Sequence, residues 1–361
     1  MIATIGIVCP ISEDAHERSS QLPTRLTSGK LKHLRALSNS AGVIAAVAMD
    51  QRASLVKAIA AARGLDPKDV PALMLSEFKT SVSRIISPHA SAILLDPEYG
   101  LPATAVRDKN CGLLLAYEFS GYDNARPGRL PDLLENVSVK RIKEWGADAC
   151  KVLIYYSPFD SPQVNDIKHA LVERVGSECI AEDVPFFLEL LSYDPEGGDE
   201  KALSFAKLKP RMTVGTIVEF SKPRYGVEVL KVEVPVVSKF TEGSRSFCGE
   251  RAYSRQEALG LIKQASDASA LPFIYLSGGV DNDLFTEQLG MAAEAGSDYS
   301  GVLCGRATWK GGLLVYGKYG SAALEEWLSG EGVANVGHVN EAIQSAKPWW
   351  TKFGLSAGDV A

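Results

Sequence analysis

Residues 227–234 read Val-Glu-Val-Leu-Lys-Val-Glu-Val. Side chains alternate along a strand, so Val229, Lys231 and Glu233 share one face and Leu230, Val232 and Val234 the other. The all-apolar face suits packing against helices. The opposite face then carries two charges inward. An ammonium taken out of water shifts its pKa or finds a partner. A desolvated lysine, or one beside a second cation, loses its proton more readily and becomes a nucleophile. A snorkelling lysine or a structural Lys–Glu pair accounts for the same pattern, so the rest of the chain has to decide.

Seven further apolar runs flank this one, at 43–49, 91–96, 111–117, 149–155, 185–191, 271–277 and 299–304. Most are nearly continuous, as parallel strands buried on both faces require. Helical spacing fills the gaps. Val164, Ile167, Leu171, Val172 and Val175 share a face over 162–175. Leu134, Val137 and Ile142 do the same over 131–145, and Gly146 ends that pattern. Ser254 and Glu257 stand at capping-box spacing before Leu259 and Ile262. Eight strands alternating with helices predict an α/β fold, the (β/α)8 TIM barrel. The alternative, a doubly wound open sheet, lacks the expected GxGxxG after the first strand. One barrel domain is expected over 27–352, with an N-terminal extension over 1–26 and a C-terminal tail over 353–361. Residues 331–361 read as a short helix and a tail carrying Trp349 and Trp350.

Composition excludes several classes. With 46% apolar residues the chain can build a sizeable core. A net charge of −6 and the absence of long Lys/Arg blocks give no footprint for nucleic acid. No apolar stretch reaches the 18 or so residues of a membrane span. The apolar start, Met1–Pro10, has no basic n-region and is broken by Asp14–Arg18, so no signal peptide is expected. The six cysteines show no CxxC pair, and three lie in or beside strand runs. Free thiols in a reducing cytosol are the expectation, and hence a cytoplasmic protein.

A barrel gathers function at the C-terminal ends of its strands. Strand one ends Met49-Asp50-Gln51-Arg52, strand five places Glu189 among Phe187, Leu188, Leu190 and Leu191, and strand four opens Ala149-Cys150-Lys151. Strand seven ends Ser277-Gly278-Gly279 and strand eight Gly305-Arg306. Each has a plain structural explanation: Asp50 as a helix cap, Arg306 as a solvated loop residue, Glu189 as partner of Lys151. Together, two lysines and two carboxylates in one barrel point to a catalytic cluster. The glycines with Arg306 sit where barrels bind phosphate, because glycine lets amides approach an anion and arginine adds a bidentate charge. None of the five histidines stands at a strand end, which disfavours a metal centre.

Several contiguous segments carry a resemblance: AMDQR (48–52), LLDPEYGLPA (94–103), RDKN (107–110), GADACKVLIYY (146–156), ERVGSE (173–178), EDVPFFLELLSYD (182–194), GVEVLKVEVP (226–235), LPFIYLSGGV (271–280) and GVLCGRATW (301–309). In these the chain resembles the class I tagatose 1,6-bisphosphate aldolase family, over about 27–352. The resemblance implies a metal- and cofactor-free lyase that splits a ketose 1,6-bisphosphate into dihydroxyacetone phosphate and glyceraldehyde 3-phosphate. It implies Lys231 as the Schiff-base lysine, Glu189 as general acid/base, Lys151 as a second lysine that contacts substrate and depresses the first lysine's pKa, and Asp50 beside the substrate hydroxyls. Gln51, Ser277, Gly278, Gly279, Gly305 and Arg306 resemble the substrate- and phosphate-binding set. Gly278 departs from the alanine common in the family, and residues 1–26 match nothing in it. Either Glu189 or Asp50 fits the cleavage base. The expected partner is a small sugar phosphate, with self-association into a homo-oligomer and no nucleic acid or membrane. Two readings compete. A 6-deoxy-6-sulfofructose 1-phosphate aldolase, yielding sulfolactaldehyde, keeps the chemistry. A catalytically weak sugar-phosphate-sensing regulator keeps only the barrel.

Overall fold

The computed structural model of the chain describes residues 26–122 and 126–360. The extension expected over 1–26 therefore lies, but for its last residue, outside the described residues.

Eight parallel strands close on one another in chain order: β1 Ile44–Ala48, β2 Ala92–Leu95, β3 Gly112–Ala116, β4 Ala149–Tyr156, β5 Phe186–Ser192, β6 Val229–Val232, β7 Phe273–Tyr275 and β8 Gly301–Cys304. Each falls within or close to a run read from the sequence. The helices before and between the first strands are α1 Ser28–Ala36, α2 Ala53–Arg63, α3 Ala72–Ile86, α4 Leu101–Thr104 and α5 Val139–Glu144. Then come α6 Pro162–Glu182, α7 Leu203–Phe220, α8 Arg255–Asp267 and α9 Asn282–Glu294. After β8 follow α10 Arg306–Trp309, α11 Gly312–Tyr319, α12 Ser321–Trp327, α13 Val333–Ala342 and α14 Ala357–Val360. The fold is the expected TIM barrel.

Strand alternation sorts the core into two clusters. Ala46, Leu94, Leu114, Ala149, Phe187, Val229, Ile274 and Leu303 point into the barrel. Their neighbours, such as Val47, Leu115, Val152, Leu188, Leu230 and Val302, pack outward against the helices. Leu34 and Leu37 of α1 with its C-cap, Trp349, and Val360 of α14 join the inner cluster and close the floor of the barrel. Trp349 is fully buried, and its indole N–H donates to Ser38 Oγ at 3.1 Å. Removing a side chain of that size from such a site costs about 3–5 kcal/mol.

Two helical expectations need correction. Residues 131–138 are not helical: α5 starts at Val139, capped by the Ser138 side chain accepting from Arg141 N. Leu134 N instead donates to Tyr117 O, and Leu133 bridges to Glu118, so this stretch runs beside the end of β3. Leu134 and Val137 are buried from that irregular loop, which mimics helical spacing. In α6, Leu171, Val172 and Val175 are buried as read, but Ile167 is 46% exposed and the neighbouring Lys168 is fully buried. The Ser254–Glu257 capping box forms as expected.

Candidate active site

The inward residues at the C-terminal ends of the strands turn from apolar to ionic. Pairing between β5 and β6 sets Glu189 directly opposite Lys231. Both point inward, and Glu189 Oε1 lies 2.8 Å from Lys231 Nζ. Pairing between β4 and β5 sets Lys151 opposite Phe187, one inward layer deeper. Lys151 is fully buried, with Nζ 2.7 Å from Glu189 Oε2, 2.8 Å from Asp50 Oδ2 and 2.8 Å from Glu118 Oε1. Glu189 therefore bridges the two lysines with one oxygen each.

These contacts decide the protonation states. Burial alone would strip Lys151 of its proton, but Asp50, Glu118 and Glu189 outweigh it and hold the ammonium well above the usual lysine range. Burial also works against the Asp50 carboxylate, yet Lys151 and Lys231 prevail and keep it well below the usual carboxylate range. Burial pushes Glu118 up, beyond what Lys151 and Arg52 offset. An ammonium locked by three carboxylates cannot attack a carbonyl. A lysine with one carboxylate beside it can pass its proton there and do so.

Above this cluster opens a cavity of about 490 Å³. Nine of the ten residues singled out from the sequence line it: Asp50, Gln51, Glu189, Lys231, Ser277, Gly278, Gly279, Gly305 and Arg306. The tenth, Lys151, lies beneath. Gly278 and Gly279 take positive φ values of 58° and 84°. A Cβ on Gly279 would stand 2.4 Å from the Arg306 guanidinium, so glycine is what lets these two meet. Arg306 is exposed and opens α10, while Ser277 is buried at the foot of the same wall. The Gln51 side-chain oxygen is buried without a protein partner among the described residues. This wall combines a guanidinium without a carboxylate partner among the described residues, a hydroxyl and strand-end amides, the donor set a phosphate takes.

Glu233, read as inward from its alternation with Lys231, lines the cavity as well. It stands past the end of β6 and leans to α7, accepting from Ser192 N at 2.7 Å and pairing with Lys209 at 3.0 Å. Asp50 does not cap α2, whose N-cap residue is Arg52 with no side-chain cap bond.

Three supporting groups were missed in the sequence. Glu118 follows β3 on the same face as Leu114 and Ala116, so its inward direction was readable from period two. Arg52, 5% exposed, pairs with Glu98 at 2.6 Å and donates to Glu118 O at 2.8 Å. Lys79 and Asp96 form a wholly buried ion pair of 2.6 Å outside the barrel. Lys79 Nζ also donates to Met49 O at 2.6 Å and Gln51 O at 2.8 Å, the carbonyls on either side of Asp50. Burial, outweighing Asp96, lowers the pKa of Lys79.

The sequence profile of the DeoC/LacD family aldolase matches residues 44–311. The tagatose 1,6-diphosphate aldolase of Listeria monocytogenes serotype 4a (strain HCC23) is 50% identical over 332 residues, covering 91% of this chain and 96% of that protein. Tagatose 1,6-diphosphate aldolase 2 of Enterococcus faecalis is 49% identical, covering 92% and 99%. The Streptococcus agalactiae tagatose 1,6-diphosphate aldolase is 46% identical, covering 90% and 98%. Among solved structures, fructose-bisphosphate aldolase from Plasmodium falciparum superposes with a TM-score of 0.63 over 88% of this chain and 96% of that one. At 13% identity that likeness speaks for the barrel alone. No helix among the described residues is long and apolar enough to cross a membrane. A profile spanning the whole barrel, and relatives half identical from end to end, make this chain a member of the DeoC/LacD family of aldolases, and so a lyase.

Proposed function

We propose that this aldolase cleaves tagatose 1,6-bisphosphate, or a closely similar ketose 1,6-bisphosphate, to dihydroxyacetone phosphate and glyceraldehyde 3-phosphate through a Schiff base on Lys231. The names of the relatives support the substrate. One observation carries the mechanism: of the two lysines on the inner face of the barrel strands, Lys151 is held as an ammonium by three carboxylates, while Lys231 pairs with Glu189 at the cavity.

The Lys231 ammonium passes a proton to Glu189, and the resulting amine attacks C2 of the ketose. Glu189 returns protons as the carbinolamine forms and water leaves, giving an iminium. Removal of the C4 hydroxyl proton breaks the C3–C4 bond. Its electron pair flows into the iminium to give an enamine, and glyceraldehyde 3-phosphate departs. Protonation at C3 and hydrolysis release dihydroxyacetone phosphate and restore the amine. Asp50, held ionised well below the usual carboxylate range, suits an orienting acceptor for substrate hydroxyls, and the contact of Glu189 with Lys231 supports Glu189 as the group that takes the C4 proton. Ser277, Gly278, Gly279, Gly305, Arg306 and Gln51 hold the C1 phosphate. We assign this work to residues 27–352, with 353–360 completing the floor. Buried free thiols, including Cys150 and Cys179 in contact yet unbonded, support a cytoplasmic setting. Leu73, Leu314 and Tyr319, large and exposed, support self-association through the α3 and α11 side.

Turnover of tagatose and fructose 1,6-bisphosphates and of 6-deoxy-6-sulfofructose 1-phosphate tests the reading. The highest kcat/KM is expected on a bisphosphate, unaltered by EDTA. Preference for the sulfonate would move the substrate assignment, and no dihydroxyacetone phosphate from any of them would end it.

A further inference from the structure

A bisphosphate brings an anion at each end, and the wall holding Arg306 accounts for one. The cavity has four cationic side chains among its described lining residues: Arg52, Arg129, Lys231 and Arg306. Lys231 faces Glu189, and Arg52 is buried between Glu98 and Glu118. That leaves Arg129, on the loop after β3, across the cavity from β7 and β8. We propose that Arg129 is the distal-anion residue, taking the phosphate at the C6 end of the ketose and setting the preference for bisphosphates. This rests on the aldolase reading above and extends it to the far end of the substrate.

The surroundings of Arg129 are built to present a guanidinium. Its carbon lies 5.2 Å from the ring centre of Tyr122, 5.0 Å from Tyr155 and 5.0 Å from Tyr193. The three rings are turned steeply to one another, 71° between Tyr122 and Tyr155 and 85° between Tyr155 and Tyr193, and enclose the cation in an aromatic cradle. It also forms an ion pair with Glu200, Nη2 standing 2.5 Å from Oε1, at the cavity wall. A single carboxylate oxygen there leaves further N–H donors for a tetrahedral anion, the fork geometry in which arginine recognises phosphate. The backbone is also committed. Arg129 has a φ of 46°, unusual outside glycine, after Gly128 at 87°.

The loop is anchored from behind. The Tyr193 hydroxyl donates to Gly128 O at 3.1 Å and accepts from Lys168 Nζ at 2.8 Å. Lys168 is fully buried on α6, beside Asp160, which also contacts the Tyr193 hydroxyl. Burial, outweighing Asp160, lowers the pKa of Lys168 to about 8. No step of the cleavage uses this lysine; its contacts fix the loop that carries Arg129.

Two measurements test the assignment, on the full chain and its R129M and R129K variants. The first is kcat/KM on tagatose 1,6-bisphosphate relative to tagatose 1-phosphate. The second needs no turnover: calorimetric affinity for hexane-1,6-diol bisphosphate relative to hexanol phosphate. Wild type is expected to favour the doubly charged ligand in both. R129M is expected to lose roughly 10- to 100-fold of that preference, the worth of hydrogen bonds to a charged group, through KM rather than kcat. R129K, which retains charge and fold without the fork, is expected to fall between. Equal losses on both ligands, or an unchanged preference, would overturn the proposal. Absence of turnover in the wild type would strike at the aldolase reading alone, since the affinity ratio still decides the role of Arg129.

Discussion

Glu189 and Lys231 stand opposite each other in the β5–β6 register, oxygen to nitrogen at 2.8 Å, and the second oxygen of Glu189 is held by Lys151. One carboxylate thus sits between the lysine proposed to react and an ammonium held by three carboxylates. Both contacts are fixed by strands rather than by loops, so the geometry needs little reorganisation on binding.

Removing the proposed proton carrier from that pair is expected to slow chemistry without emptying the site. E189Q keeps the shape and loses the base. Its kcat is expected to fall by roughly 10²–10⁴-fold with a small change in KM, measured by steady-state release of triose phosphates. Activity within a factor of two of wild type would remove Glu189 from the proton path.

Asp50 ties stability to pH. Its folded pKa is depressed below the ordinary 3.8, so it contributes stability that is complete above that value and lost as pH falls through the lower folded value. D50N is therefore expected to be less stable than wild type at pH 7, with the gap narrowing on acidification below about pH 4. Urea melts at pH 7 and pH 3 measure it, and a gap that stays constant contradicts the sign.

The Lys79–Asp96 pair braces the backbone around Asp50 from outside the barrel. K79M leaves Asp96 buried without its cation and two carbonyls without their donor. A loss of about 3–5 kcal/mol in chemical denaturation is expected, with partial recovery in K79M/D96N. A single variant as stable as wild type would show that the pair is dispensable.

Gly279 meets Arg306 only because it has no side chain. G279A puts a methyl 2.4 Å from the guanidinium on a backbone with φ near 84°. KM for the bisphosphate is expected to rise by about tenfold or more, from strain and a displaced arginine of order 1–3 kcal/mol, while kcat changes less. An unaltered KM would take this wall out of phosphate binding.

The barrel was legible because parallel strands are apolar on both faces, and charges such as Lys231 and Glu189 stand out inside them. Glu118 was missed because it lies one residue beyond its apolar run, although it continues the inward set of Leu114 and Ala116. Lys79 was missed because attention to strand ends passes over a lysine on the apolar stripe of α3, among Leu75, Phe78, Val82 and Ile86. Lys168 was hidden in the same way on α6, where exposed Ile167 drew the buried face toward itself. Arg129 could not be read at all: its place depends on two successive left-handed residues and on three tyrosines from separate parts of the chain. The end of β3 misled in the opposite direction, since a loop following the strand buried Leu134 and Val137 at helical spacing.

The most direct test is mass spectrometry of the protein reduced with borohydride in the presence of dihydroxyacetone phosphate. A stable adduct is expected on one residue, Lys231, with none in K231M. An adduct on Lys151, or none anywhere while cleavage activity persists, would contradict the account at its centre.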